Sequence, residues 1–252
     1  MKLINFLLII ITLSVPSFAV DYKSGEEVLA AMKKKYEGKW YKTLTFEQKT
    51  VNYKPDGTSE SQTWYEALTV PGKLRIDILP LEKGNGIIFA DGKLHQFRDG
   101  KLAGSRDFVH PLLVLGFDVY GQPVETTVAQ LKGLGIDLSV VHEEPWQNGT
   151  AIVVGAKQGD LNTPQFWIDK KNLLFIRLFQ LAGRDKKIIQ ETQFNGYQKV
   201  KGGGWVSAEV KFLVDGKLAT TEEYTKIQTD KTLSPDLWDP EKWMSVDKTY
   251  VK

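Results

Sequence analysis

The turn Asp-Gly-Lys occurs three times, at Asp91-Gly92-Lys93, Asp99-Gly100-Lys101 and Asp215-Gly216-Lys217, each time between runs of alternating apolar and polar residues. A two-residue Asp-Gly loop demands positive φ, which Gly accepts without strain, and its twist matches that of the antiparallel strands it joins. Three such loops commit much of the chain to an antiparallel sheet built from neighbouring strands.

The chain opens with the pattern of a secretion signal. Lys2 gives a positive start, Leu3 to Val15 are apolar, Pro16 breaks the run, and Ser17-Phe18-Ala19 offers small residues where a signal peptidase reads. The apolar run is shorter than the roughly 20 residues a bilayer span needs. The expectation is a cleaved leader over residues 1–19, followed by one domain over residues 20–252. The formal net charge is +2, too small to steer nucleic acid or anionic lipid as a whole. Cysteine is absent, which excludes a lipid-modified N-terminus, a catalytic thiol, thiolate metal sites and disulfides, so a core must hold the fold. Hydrophobic content of 42% is ample for that.

Ser24 to Tyr36 has helical spacing: Val28, Leu29, Met32 and Tyr36 share a face, Ser24 can cap it, and Glu27 stands three residues on. From Trp40 the period becomes two. Leu44, Phe46 and Gln48 alternate with Thr45, Glu47 and Lys49, and strands follow over Gln62 to Val70, Leu74 to Leu79, Ile87 to Ala90 and Leu94 to Phe97. The middle changes character. Phe108 to Phe117 is strongly apolar and Val124 to Leu134 has helical spacing after Pro123, which predicts one or two short helices across a face of the sheet. Strands resume over Leu138 to His142, Ala151 to Ala156, Gln165 to Asp169, Leu173 to Leu181, Lys187 to Phe194, Trp205 to Val214 and Leu218 to Ile227. In Leu173 to Leu181 strict alternation sets Leu174, Ile176 and Leu178 against Phe175 and Phe179, so both faces of that strand are apolar and both need cover. Gly202-Gly203-Gly204 reads as a hairpin turn, and the tail from Ser234, with Trp238 and Trp243, as loop or short helix packed back. The fold class is mainly β: one strongly curved antiparallel sheet of about ten or eleven strands, with helices on its concave side.

Catalytic chemistry is not announced. His95, His110 and His142 have no partner at metal-ligand spacing, and His142-Glu143-Glu144 reads as a strand end entering an exposed acidic turn. Asn148-Gly149-Thr150 fits a glycosylation sequon and, more simply, a turn. No nucleophile elbow or phosphate loop appears. Neighbouring acids such as Glu143-Glu144 and Glu222-Glu223 point to opposite faces on a strand and cannot act together. No catalytic residue, metal or cofactor is expected. What remains is a curved, aromatic-rich sheet roofed by short helices, the kind of concave apolar surface on which lipids bind.

Several segments resemble the periplasmic carriers that ferry lipoproteins to the outer membrane, the LolA-like superfamily. They are the opening helix, Phe46-Glu47-Gln48-Lys49, Val70-Pro71-Gly72-Lys73-Leu74-Arg75-Ile76, Phe89-Ala90-Asp91-Gly92-Lys93 and Pro164-Gln165-Phe166-Trp167-Ile168-Asp169, followed by Arg177, Gln193-Phe194 and Tyr224. The resemblance implies an unclosed β-barrel capped by helices around a cavity for acyl chains. It implies a periplasmic, non-enzymatic carrier whose partners are an acylated lipoprotein or lipid and transient envelope proteins, with no nucleic acid and no stable membrane insertion. Expected cavity residues are Phe46, Trp64, Leu74, Ile76, Ile78, Phe89, Phe166 and Ile168. In the carriers a basic residue before the turn proline is associated with latching the helical lid. Val70 stands there, so Arg75 and Arg177 are the candidates for that role. The alternative is an envelope sensor or protein-interaction module on the same fold with no transported ligand.

Overall fold

The structure, a computed structural model, describes residues 22–251; the expected leader and its cut after Ala19 lie outside the described residues. Helix α1 (Gly25–Tyr36) is followed by six strands: β1 (Thr43–Tyr53), β2 (Ser59–Thr69), β3 (Lys73–Ile78), β4 (Asn85–Ala90), β5 (Lys93–Arg98) and β6 (Lys101–Asp107). Helices α2 (Pro111–Gly116) and α3 (Val124–Gly133) come next, then β7 (Val141–Trp146), β8 (Gly149–Val154), β9 (Gln165–Asp169), β10 (Leu174–Ala182) and β11 (Ile188–Asn195). A small hairpin of β12 (Gln198–Lys199) and β13 (Trp205–Val206) precedes β14 (Glu209–Val214) and β15 (Lys217–Thr229).

Thirteen of these strands form one antiparallel sheet in the order β6-β5-β4-β3-β2-β1-β15-β14-β11-β10-β9-β8-β7. Two meanders are therefore joined by the pairing of the first strand with the last, with Thr50 opposite Glu222 and Gln48 opposite Tyr224. The edges β6 and β7 do not pair, so the barrel stays open. All three Asp-Gly loops are two-residue hairpin turns with both residues at positive φ: 52° and 74° at Asp91-Gly92, 49° and 74° at Asp99-Gly100, 47° and 76° at Asp215-Gly216. Gly202-Gly203-Gly204 lies in the turn of the small hairpin, as expected.

The sheet exceeds the expected ten or eleven strands. The strand after Asp99-Gly100, implied by that turn but given no bounds in the sequence reading, is β6, which is exposed along its whole length. Two other expectations need correction. His142, Glu143 and Glu144 all lie inside β7, which starts at Val141, and His142 Nε2 meets Glu144 Oε1 at 2.9 Å on one strand face. In β10 the register against β9 shifts between Phe175 and Arg177. That bulge breaks strict alternation: Leu174, Phe175 and Leu178 join the core under the helices, while Ile176 and Phe179 pack with Trp167 on the other side.

Helix α1 forms as its sequence dictates. Ser24 Oγ accepts from the Glu27 N–H at 3.3 Å, acids occupy the first turn and lysines the last, and Val28, Leu29, Met32 and Tyr36 are buried. This face and Leu131 of α3 pack on Ile152, Val154, Phe166 and Ile168, filling the concave side over β8–β10. Over the first meander the concave side is covered by the short α2 and the segments beside it, and a second cluster forms around Phe46, Leu68, Leu74, Ile76, Phe89 and Leu113. The C-terminal tail packs on the convex side of the first meander, where Leu237, Trp238, Trp243 and Tyr250 are buried with Ala67, Ile88 and Phe97.

Candidate ligand cavity

Because side chains alternate along a strand, the inner positions of the first meander follow from register. Phe46 pairs with Glu66, Glu66 with Ile76 and Ile76 with Ile87, so all four stand on the face beneath α2. The Phe46 and Tyr224 rings stack at 4.3 Å between centroids across the seam of the two meanders. Between this face and the segment Phe108–Phe117 lies a cavity of about 360 Å³, within the roughly 300–1,000 Å³ typical of ligand sites. Phe108, Pro111, Leu112, Leu113 and Phe117 form its roof, and Phe46, Leu68, Leu74, Ile76, Ile87 and Phe89 its floor. The cavity exists because α2 has only six residues, too short to fill the sheet beneath it as α1 fills the other half.

Of the expected cavity residues, Phe46, Trp64, Leu74, Ile76 and Phe89 line this space. Ile78 packs against the same cluster without lining the cavity. Phe166 and Ile168 are fully buried beneath α1 and α3, in the half that is packed solid. A larger hollow of about 770 Å³ lies at the other end of the sheet, beside Tyr22, Trp146, Asn148, Lys170, Lys171 and Trp205; Phe194 borders both spaces. Turn residues, Asp169 and two lysines make up much of that hollow's lining, whereas the cavity roofed by Phe108–Phe117 is lined mainly by apolar side chains and is the better candidate for an apolar ligand.

The two arginines proposed as a latch do not reach the helices. Arg75 faces the convex side, where Nε and Nη2 contact both oxygens of Asp77 at 2.6 and 3.0 Å and further donors reach the Leu237 and Trp243 carbonyls. Arg177 pairs with Glu191 at 2.6 Å and lies over Trp146, Trp167 and Phe179. The segment between α2 and α3 is tied down elsewhere. The Gly72 N–H donates to Asp118 Oδ1 at 2.9 Å, joining the β2–β3 turn to the segment between α2 and α3. Val70 packs on Gly121, where even a methyl group would meet its Cγ1 at 2.7 Å. Burial pushes the Asp118 carboxyl up to about 7, with the Gly72 hydrogen bond pulling in the other direction. His110 caps α2 by accepting from the Leu113 N–H, and burial lowers its pKa to about 4, so the roof histidine is neutral.

Two cavity residues had no place in the sequence reading. Glu66 is 5% exposed, and among the described residues no side chain or backbone group bonds to its carboxyl; burial, then the charge of Glu222, raises its pKa well above the usual range. Glu222 lines the same cavity from β15. Burial raises it to about 7, while hydrogen bonds from Tyr224 and Gln48 act to lower it. A signal did exist, since Glu66 sits at inner parity between Trp64 and Leu68, a poor place for an unpaired acid.

No protein-family profile and no curated protein matches the sequence. Solved structures do match. A putative outer membrane lipoprotein-sorting protein domain from Vibrio parahaemolyticus aligns with TM-score 0.58 at 12% identity, over 87% of this chain and 98% of that one. A DUF1329 family protein from Desulfovibrio piger gives 0.57 at 12% identity, over 86% and 96%. A LolA superfamily protein from Nitrosomonas europaea gives 0.51 at 9% identity, over 81% and 94%. The chain has a LolA-like fold. At these identities the likeness is one of fold.

Proposed function

We propose that the protein is a periplasmic, non-enzymatic carrier that holds acyl chains of lipoproteins or lipids in its apolar cavity on their way to the outer membrane. The observation that carries this reading is the roofed cavity of about 360 Å³ between α2 and the first meander. The LolA-like fold and the lipoprotein-sorting description of one structural neighbour support it. In this reading Phe46, Trp64, Leu74, Ile76 and Phe89 contact the chain. Transfer of each methylene from water is worth about 0.8 kcal/mol, and a membrane offers nearly the same. The free energy of loading is then close to zero, and small strains in the lid set its direction.

Native mass spectrometry of protein released from the periplasm without detergent tests this directly. A mass increment matching a lipid or acylated peptide, removed by organic solvent, is expected. A clean apo mass that persists after incubation with lipids overturns the carrier reading in favour of a protein-binding module. Substitution Ile76→Glu, on the cavity floor, should abolish uptake in a folded variant.

A further inference from the structure

Three acids border the cavity, Glu66, Glu191 and Glu222, and no lysine or arginine lines it. Glu191 already has its cation, Arg177, at 2.6 Å. Glu66 and Glu222 have none. Glu222 receives the Tyr224 hydroxyl at 2.9 Å, whereas the Glu66 carboxyl, on a residue 95% withdrawn from solvent, makes no hydrogen bond or ion pair among the described residues. Gln48, between them on β1, donates to Thr50 at 2.8 Å and also hydrogen-bonds Glu222. The lining beside the pair is uncharged, with Phe46 and Gln48 from β1, Tyr224 from β15 and the neutral His110 from the roof, and Tyr250 of the C-terminal tail is close enough to interact with Glu66.

A buried carboxyl without a partner, as at Glu66, is costly in a fold, and that cost is incurred before any ligand arrives; Glu222 beside it is half-buried and has no cation. A cation entering the cavity meets desolvated carboxyls that it can draw into ionisation, whereas a fatty-acid carboxylate or a phosphate finds no counter-charge in the lining. We infer that the cavity takes an amphiphile bearing a protonated amine, its apolar part against Phe46, Leu74, Ile76 and Phe89 and its ammonium at Glu66 and Glu222. This rests on the carrier reading for the apolar half of the site and adds the chemistry of the ligand's head. The raised pKa values agree with it, because a bound cation is what would draw both carboxyls back toward ionisation.

The test is displacement of the neutral apolar probe N-phenyl-1-naphthylamine from the full protein by decylamine, decanol and decanoate, each below its micelle concentration. Decylamine is expected to bind at least about tenfold more tightly than decanol at pH 8, the gain of a hydrogen bond to a charged partner, with decanoate weakest. Its affinity should weaken by up to about tenfold per pH unit below about 7 as Glu222 takes up a proton, while decanol stays flat. In Glu66→Gln and Glu222→Gln the preference for the amine should shrink to within a few-fold of decanol. The wild-type ligand series and pH profile decide the matter even if a variant fails to fold. Equal binding of amine and alcohol, or a preference for decanoate, overturns the inference and leaves the carrier reading standing. Failure of the probe and all three ligands to bind overturns both.

Discussion

Strands β2 and β3 bury charge on both faces, and the two faces treat it in opposite ways. On the convex face Asp77 is 1% exposed and Arg75 is fully buried, yet every demand is met. Arg75 grips Asp77 through two donors, and Lys248 adds a second cation to Asp77 at 3.1 Å. Tyr250 Oη donates to the same carboxylate, and Trp243 covers the guanidinium with its ring centre 4.0 Å away. On the concave face, Glu66 of β2 and Glu222 of β15 line a cavity that no lysine or arginine borders. The contrast separates two uses of buried charge. A satisfied network holds the C-terminal tail on the sheet, whereas two acids without a cation border an open space.

Mutations on each face can break this comparison. Arg75→Met should have the largest effect, a loss of about 3–5 kcal/mol in urea unfolding, because it strips the main cation from a buried carboxylate; a loss under about 1 kcal/mol would show the convex network to be decorative. Glu222→Gln should act in the opposite sense. Between the usual carboxylate range and about 7, the folded protein keeps a proton that the unfolded chain has lost, so wild-type stability falls as pH rises through that window. The amide should therefore be more stable than wild type at pH 8, by about 2–3 kcal/mol, and nearly equal to it at pH 5. Destabilisation at pH 8 would mean that Glu222 is compensated after all and would erase the difference between the faces. Asp118→Ala, which removes the acceptor for the Gly72 N–H, should cost about 1–2 kcal/mol and speed amide hydrogen exchange at Gly72 ahead of the sheet. Smallest of all, Lys132→Met breaks only the exposed contact to Glu26 between α3 and α1, and should shift stability by less than about 1 kcal/mol.

Much of the architecture was legible before any coordinates. The Asp-Gly turns placed three hairpins, Ser24 and the lysines bounded α1, and inner parity on β1 to β4 put Phe46, Trp64, Leu74, Ile76 and Phe89 on the face that carries the cavity. Parity failed where the chain leaves strict alternation. The bulge between Phe175 and Arg177 lets Phe175 join the helix-covered core with Leu174, and no residue there advertises it. Phe166 and Ile168 lie on the concave face as expected but under α1 and α3, away from the roofed cavity, because which helix covers a strand depends on how α1 and α3 dock.

The remaining surprises share one cause, contacts between residues distant in sequence. Glu66 and Glu222 come together only because β1 pairs with β15, and Arg75 meets Trp243 only because the tail returns to the convex face. Local chain chemistry, in the form of turn propensity, capping and a two-residue side-chain period, determined by itself that this protein is an antiparallel sheet with short helices. Tertiary structure alone decided where that sheet stays hollow and that two acids face the hollow unpaired, since burial and charge compensation are properties of what surrounds a residue and not of its neighbours in sequence.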